Sequence, residues 1–191
     1  MARYIGPVCK VCRREGSKLY LKGERCYSDK CSFERKPATP GVQGVGRRIK
    51  KSEYGLQLRE KQKVKYSYGL LEKQFRNQFF AADKAKGVTA DTFFRGLELR
   101  LDNVVYRMGF GRSRNEARQL VRHNHIYVNG KKLNIPSAKV KVGDEITVKE
   151  KSRSMSGFEL ATELYGKRVP LPWFEVDHSK LTGKVTQSNE R

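Results

Sequence analysis

Four cysteines lie within one 23-residue window near the start of the chain, as CKVC at 9–12 and CYSDKC at 26–31. Their spacing is Cys-x2-Cys-x13-Cys-x4-Cys, so each close pair can present two sulfurs to one ion from a tight turn. Zinc takes four thiolates at about 2.3 Å in a tetrahedron, and Cys9, Cys12, Cys26 and Cys31 would fill that shell. With every position taken by protein there is no room for an activated water, so the metal would be structural. The connecting CRREGSKLYLKGERC is polar, and its apolar cluster is limited to Leu19, Tyr20 and Leu21. Metal binding would then supply the folding energy, apparently about 10–16 kcal/mol for structural zinc. An iron–sulfur cluster also takes four cysteine thiolates. Two disulfides would suit an extracellular chain, and a redox CxxC would need a preceding strand and a helix start.

The residues around the cysteines are basic. The 191-residue chain has 41 Lys and Arg against 20 Asp and Glu, a net +21. Residues 1–51 alone hold 14 against 4. So basic a chain repels itself when compact, which predicts an acidic partner. Arg3, Arg13, Arg14 and Lys22 of the arm are candidate phosphate contacts. So are Arg47, Arg48, Lys50 and Lys51 of GVQGVGRRIKK (41–51), where glycine allows close approach of the backbone. A solvated linker is the bland alternative for that stretch. No apolar run approaches a membrane span, and the N-terminus carries no stretch of signal-peptide length. These features place the chain in the cytoplasm, with its thiols reduced.

The elements that must position these groups follow from periodicity. Val64, Tyr68, Leu71, Phe75 and Phe79 draw one helical stripe, with Gly55 and Gly69 predicting two helices or a break between 52 and 86. A helix starting at Thr89 or Asp91 carries Phe94, Leu97, Leu101, Val104, Val105 and Met108 as far as GFGR. Ser113 with Glu116 is a capping-box pair for SRNEARQLVRHN, which buries Ala117, Leu120 and Val121. Asn129-Gly130 predicts a two-residue hairpin turn. KVKVGDEITVKE alternates Val140, Val142, Ile146 and Val148 around Gly143-Asp144. A short helix near 156–164, capped by Ser156 with Glu159, precedes VPLPWFEV, whose prolines forbid helix and whose Trp173 is expected to pack on the body. KVTQSNER reads as a loose tail.

RLDNVVYRMGFGRSRNEARQLVRHNHIYVNGKKLNIPSAKVKVGDEI (100–146) closely resembles the RNA-binding module named after small-subunit ribosomal protein S-four. PVCKVCRREGSKLYLKGERCYSDKC, SEYGLQLREKQKVKYSYGLLEKQFRNQF and PLPWFEVDHSKLTGKV resemble, in order, the zinc-bearing N-terminus, helical body and C-terminal segment of the bacterial family of that protein. The resemblance runs from Gly6 to Val185. It departs in the glycine-rich stretch, where many members carry Gln-His-Gly. It implies a structural constituent of the small ribosomal subunit, not an enzyme, that binds ribosomal RNA early in assembly. It further implies a later place by the mRNA entry, influence on decoding accuracy, and contact with neighbouring small-subunit ribosomal proteins. The implied location is cytoplasmic, in the ribosome, with no membrane and no small-molecule substrate.

Carried onto this chain, the resemblance makes Arg112, Ser113, Arg114, Arg118, Gln119 and Arg122 the recognition helix's contacts. His123, His125, Asn129 and Lys131 line the neighbouring turn and hairpin. Arg offers a planar fork to phosphate oxygens, and a solvated helix face is the alternative for some of these residues. Arg114, Arg118 and Arg122 recur every four residues and are expected to share one outward flank. An RNA-modifying enzyme would need a separate catalytic domain, for which the chain is too short. A zinc-dependent DNA-binding regulator would need a recognition helix in the metal module, and 13–25 has no helical stripe. The expected fold is α+β: a zinc-stapled arm (1–45), a helical body (46–97), a small α/β module of two short helices plus β-hairpins (98–161), and a C-terminal segment (162–191) packing back on the body.

Overall fold

The computed structural model describes residues 2–41, 52–166 and 171–187. The candidates Arg47, Arg48, Lys50 and Lys51 lie outside the described residues. The chain divides into two compact units, Met1–Phe75 and Arg76–Arg191.

In the first unit, α1 (Val8–Glu15) carries both Cys9 and Cys12, so the first cysteine pair is presented by a helix and not by a tight turn. Gly16 closes α1 in the left-handed region, with φ 66°. A 3-10 turn, Gly23–Cys26, and a single helical turn, α2 (Ser32–Arg35), bring the other pair beside it. The interior here is thin. Among the described residues of the arm (2–41), Val11 is the buried aliphatic side chain, and Cys12, Cys26 and Cys31 are buried with it. Glu15, buried in α1, accepts a 3.1 Å hydrogen bond from Arg59 of α3 (Glu53–Ser67), which fastens the two helices. Ser52 caps α3 by accepting from the Gly55 N–H. The stripe over 64–79 breaks as expected. Gly69 sits at φ 65°, a conformation that costs other residues a steric clash, and α4 (Glu72–Asp83) restarts the helix.

The second unit contains a two-layer α+β module. The apolar run 94–108 predicted one helix, but it forms two, α5 (Thr89–Glu98) and α6 (Leu101–Arg107). The chain turns extended at Arg100, where it bridges to Lys139, and the freed N–H groups of Leu101 and Asp102 donate to Ala138 and Pro136. After α7 (Arg114–Arg122) come β1 (Ile126–Val128), β2 (Lys131–Lys132) and β3 (Glu145–Val148). Asn129 and Gly130 take φ of 50° and 73° in the predicted hairpin turn. The second alternating stretch is not a hairpin. Val142 is half-exposed, and β3 pairs with β1 on one side and β5 on the other.

The C-terminal segment corrects the expected layout. After α8 (Ser156–Tyr165), β4 (Phe174–Asp177) and β5 (Thr182–Val185) complete one antiparallel sheet of order β2-β1-β3-β5-β4. The segment therefore joins the module, and Trp173 packs against the module's core. Lys184 and Val185, read as tail, are in β5. Met155 and not Ser156 stands at the start of α8, with no side-chain cap. The core gathers Leu101, Val104, Val105, Met108, Ala117, Val121, Ile126, Ile146, Val148 and Val185, each fully or almost fully buried.

Candidate nucleic-acid interface

The exposed basic face of the module grows from the end of α7. Ser113 caps the helix by accepting from the Glu116 N–H at 3.3 Å. Glu116 does not reach back to Ser113. Its carboxylate accepts from the Arg112 backbone N–H at 2.7 Å and grips the Arg112 guanidinium at 2.6–3.1 Å. Arg112 is thus committed in part to holding the helix entry.

The row Arg114, Arg118 and Arg122 does not share an outward flank. A step of four residues overshoots a full turn by about 40°, so the row winds around the helix. Its first two members lie against α6. Arg118 is buried, 6% exposed, and donates from Nη1 to Asp102 Oδ2 at 3.0 Å. The same carboxylate receives Nε and Nη2 of Arg100 at 3.1 and 2.7 Å. Arg114 donates from Nε to Asn103 Oδ1 at 2.8 Å and lies over the Tyr106 ring, 4.6 Å from its centroid. Arg122 alone has rotated off this contact and is exposed. Arg118 is therefore turned inward onto Asp102, and not outward on the flank that the sequence predicted.

A second network backs the first. Asn103 donates to the backbone and side chain of Glu98 at 2.9 and 2.7 Å, and Arg107 forks onto Glu98 at 3.0 and 2.7 Å. These acids and Asn103 escaped the sequence reading, because a carboxylate on a helix is ordinarily solvated. The available signal was position: Glu98 and Asp102 sit inside the apolar run from Leu97 to Val105. Together the two networks lock α5, α6 and α7 without spending apolar volume.

Beyond Arg122 the exposed side chains continue. Gln119 and His123 are exposed, and so are Lys131 and its neighbour Lys132, which the sequence reading did not single out. His125 is half-buried, with Nδ1 2.9 Å from the Ser152 hydroxyl. Burial holds its pKa below the ordinary histidine value, with His123 and Lys149 pushing the same way. Asn129 is exposed but occupied: its amide donates to Asp144 at 2.8 Å and its carbonyl accepts from the Glu145 N–H at 2.9 Å. Its work is to close the hairpin that displays Lys131.

In the arm, Arg3, Arg14 and Lys22 are exposed and Arg13 is half-buried. The four cysteines are free thiols, three of them buried. Burial pushes the Cys12 and Cys26 thiols up; N–H groups of Leu19 and Lys22 oppose this, and the neighbouring sulfurs reinforce it. The Lys22 N–H donates to Cys26 Sγ at 3.3 Å. As a donor type, cysteine thiolates suit a soft cation. Among the described residues, however, no group of three or more His, Cys, Asp or Glu side chains is gathered into a set that could hold a metal ion. No described helix is long and apolar enough to cross a membrane.

A capped basic helix followed by a tight hairpin, both on one antiparallel sheet, defines an S4-type module, and residues 99–146 match the S4 domain model. Residues 3–98 match the ribosomal protein S4/S9 N-terminal domain. The chain is 58% identical over its whole length, and 91% of the relative's, to small ribosomal subunit protein uS4 of Natranaerobius thermophilus. The same-named protein of Heliobacterium modesticaldum is 57% identical over 97% of this chain and 88% of the relative. That of Thermus thermophilus is 53% identical over 100% and 91%. The chain belongs to the small ribosomal subunit protein uS4 family, a family of structural proteins and not of enzymes.

Proposed function

We propose that the chain is a cytoplasmic constituent of the small ribosomal subunit that binds ribosomal RNA directly, enters assembly early, and contacts neighbouring ribosomal proteins. In the mature subunit it contributes to the mRNA entry region and to decoding accuracy. The observation that carries this reading is the exposed ridge Gln119–Arg122–His123 continuing onto Lys131 and Lys132, in a chain of net +21 that belongs to the uS4 family. RNA helices are read mainly by shape and backbone contacts, and a ridge of cations on a short capped helix suits that task. In a gradient of cell extract the tagged protein is expected to travel with the small subunit, and in chemical probing the purified protein is expected to protect a discrete set of small-subunit rRNA positions. Migration at the top of the gradient with no protection would overturn the reading.

The arm is proposed to hold one structural zinc through Cys9, Cys12, Cys26 and Cys31. The support is the donor chemistry and the thin apolar interior, where thiols replace a core. When bound, the metal supplies cohesion to the arm. Elemental analysis should return one zinc per chain, and Cys26→Ser should lower that content while leaving the helical signal of the second unit intact. Absence of metal, or another metal at full occupancy, would refute the assignment.

A further inference from the structure

In the first unit, a cavity of about 260 Å³ is lined by Arg13, Ser32, Arg35 and Lys36. It falls just under the roughly 300–1,000 Å³ of pockets that enclose drug-sized ligands, ample room for a phosphate group. Arg13 comes from α1, and the others come from α2 and the residue after it. Among the described residues none of the three cations makes an ion pair. The acid of α2, Glu34, is taken by Lys18 at 2.5 Å. Arg13 Nε is buried with no hydrogen-bond partner. Three like charges around one hollow repel one another until an anion neutralises them. The donors are two planar forks, one ammonium and one hydroxyl, a set that matches the oxygens of a phosphate.

We infer that this cavity accepts one backbone phosphodiester of RNA, with Arg13 and Arg35 on its free oxygens and Ser32 and Lys36 completing the cradle. The inference rests on the reading of the chain as an rRNA-binding protein. Cys12 and Cys31 immediately precede Arg13 and Ser32, so two of the thiols adjoin the cradle along the chain. Arg35 and Lys36 carry no sequence signal of their own, because the helix that aims them is a single turn.

The test compares three full-length proteins binding a small-subunit rRNA transcript across a salt series: the parent, Arg35→Gln/Lys36→Gln, and Lys84→Gln/Lys86→Gln as a charge-matched control. The control residues are exposed and remote in sequence. The cradle variant should bind roughly tenfold or more weakly at moderate salt, with the log–log salt slope shallower by about 0.7–0.9 per phosphate lost. Circular dichroism should match the parent, since Arg35 and Lys36 are exposed. Equal affinity and slope for parent and cradle variant would overturn the inference, and so would an equal loss in the control, which would make the effect one of net charge. Should the parent itself not bind the transcript, the rRNA reading fails separately. The cradle is then judged by amide NMR with inorganic phosphate: saturable shifts at Arg13, Ser32, Arg35 and Lys36 that vanish in the variant uphold it, and no shift refutes it.

Discussion

Asp102 is one carboxylate shared by two buried guanidinium groups, Arg100 and Arg118. Removing one partner of a buried pair strands the other charge and costs about 3–5 kcal/mol. Asp102→Ala should therefore lower the melting temperature first and weaken RNA binding only as a consequence; Arg118→Ala, which leaves Asp102 paired with Arg100, should do the same to a smaller degree. Arg122 is the contrasting case, exposed at the end of the same helix. Arg122→Ala should change stability by less than about 0.5 kcal/mol while costing on the order of 1.5–3 kcal/mol of rRNA binding. Thermal melts and filter binding on the same samples separate the two; a binding loss at Arg118 without a melting shift would reverse the assignment. The residue types of the recognition helix were legible in the sequence, but their division into anchors and contacts was not. A spacing of four looks like one flank until the neighbouring helix, and the acid it carries, is in place.

Elements were legible where a local signal stood alone. Ser113 marks the start of α7, and Ser113→Ala should cost about 0.5–2 kcal/mol, seen as a lower denaturation midpoint with an unchanged denaturant slope. Asn129-Gly130 marked the hairpin for the same reason. The break between α5 and α6 was hidden because both helices face one core, so the apolar period runs through it. The joining of β3 to β5 was hidden because it links residues far apart in sequence through backbone groups that leave no mark on side-chain pattern. The β4–β5 turn carries a further consequence. His178 packs on the Tyr165 ring, with centroids 4.6 Å apart, and on Phe110, with both ring nitrogens buried and unpartnered among the described residues. Burial lowers its pKa, and Asp177 opposes this only in part. The folded state therefore takes up the proton later than the unfolded chain does, and stability rises with pH across that interval. Stability should be full above the ordinary histidine value and fall as pH drops through it towards the lowered folded value. Melting temperatures of the parent should show this decline, and His178→Phe should lessen it, leaving the share that buried His125 contributes in the same direction; an equal decline in the variant would place the titration elsewhere.

At the scale of the whole molecule, charge and strand order set behaviour. With 41 basic residues against 20 acidic, affinity for rRNA should fall steeply with salt, by about 0.7–0.9 in log–log slope per phosphate neutralised; a flat response in a salt titration would reduce the basic residues to a solvated coat. The sheet order β2-β1-β3-β5-β4 seats β5, late in the chain, beside β3. During synthesis, β3 emerges with a bare edge and stays so until Thr182–Val185 follow, and an unpaired edge is a template for wrong pairing. Completion of the module thus waits until Thr182–Val185 have been made. A chain cut short before β5 would keep β3 as an open strand, which favours aggregation over a completed module. Ending the chain before Leu171 should accordingly move most of it to the insoluble fraction, while the parent remains soluble at the same expression level.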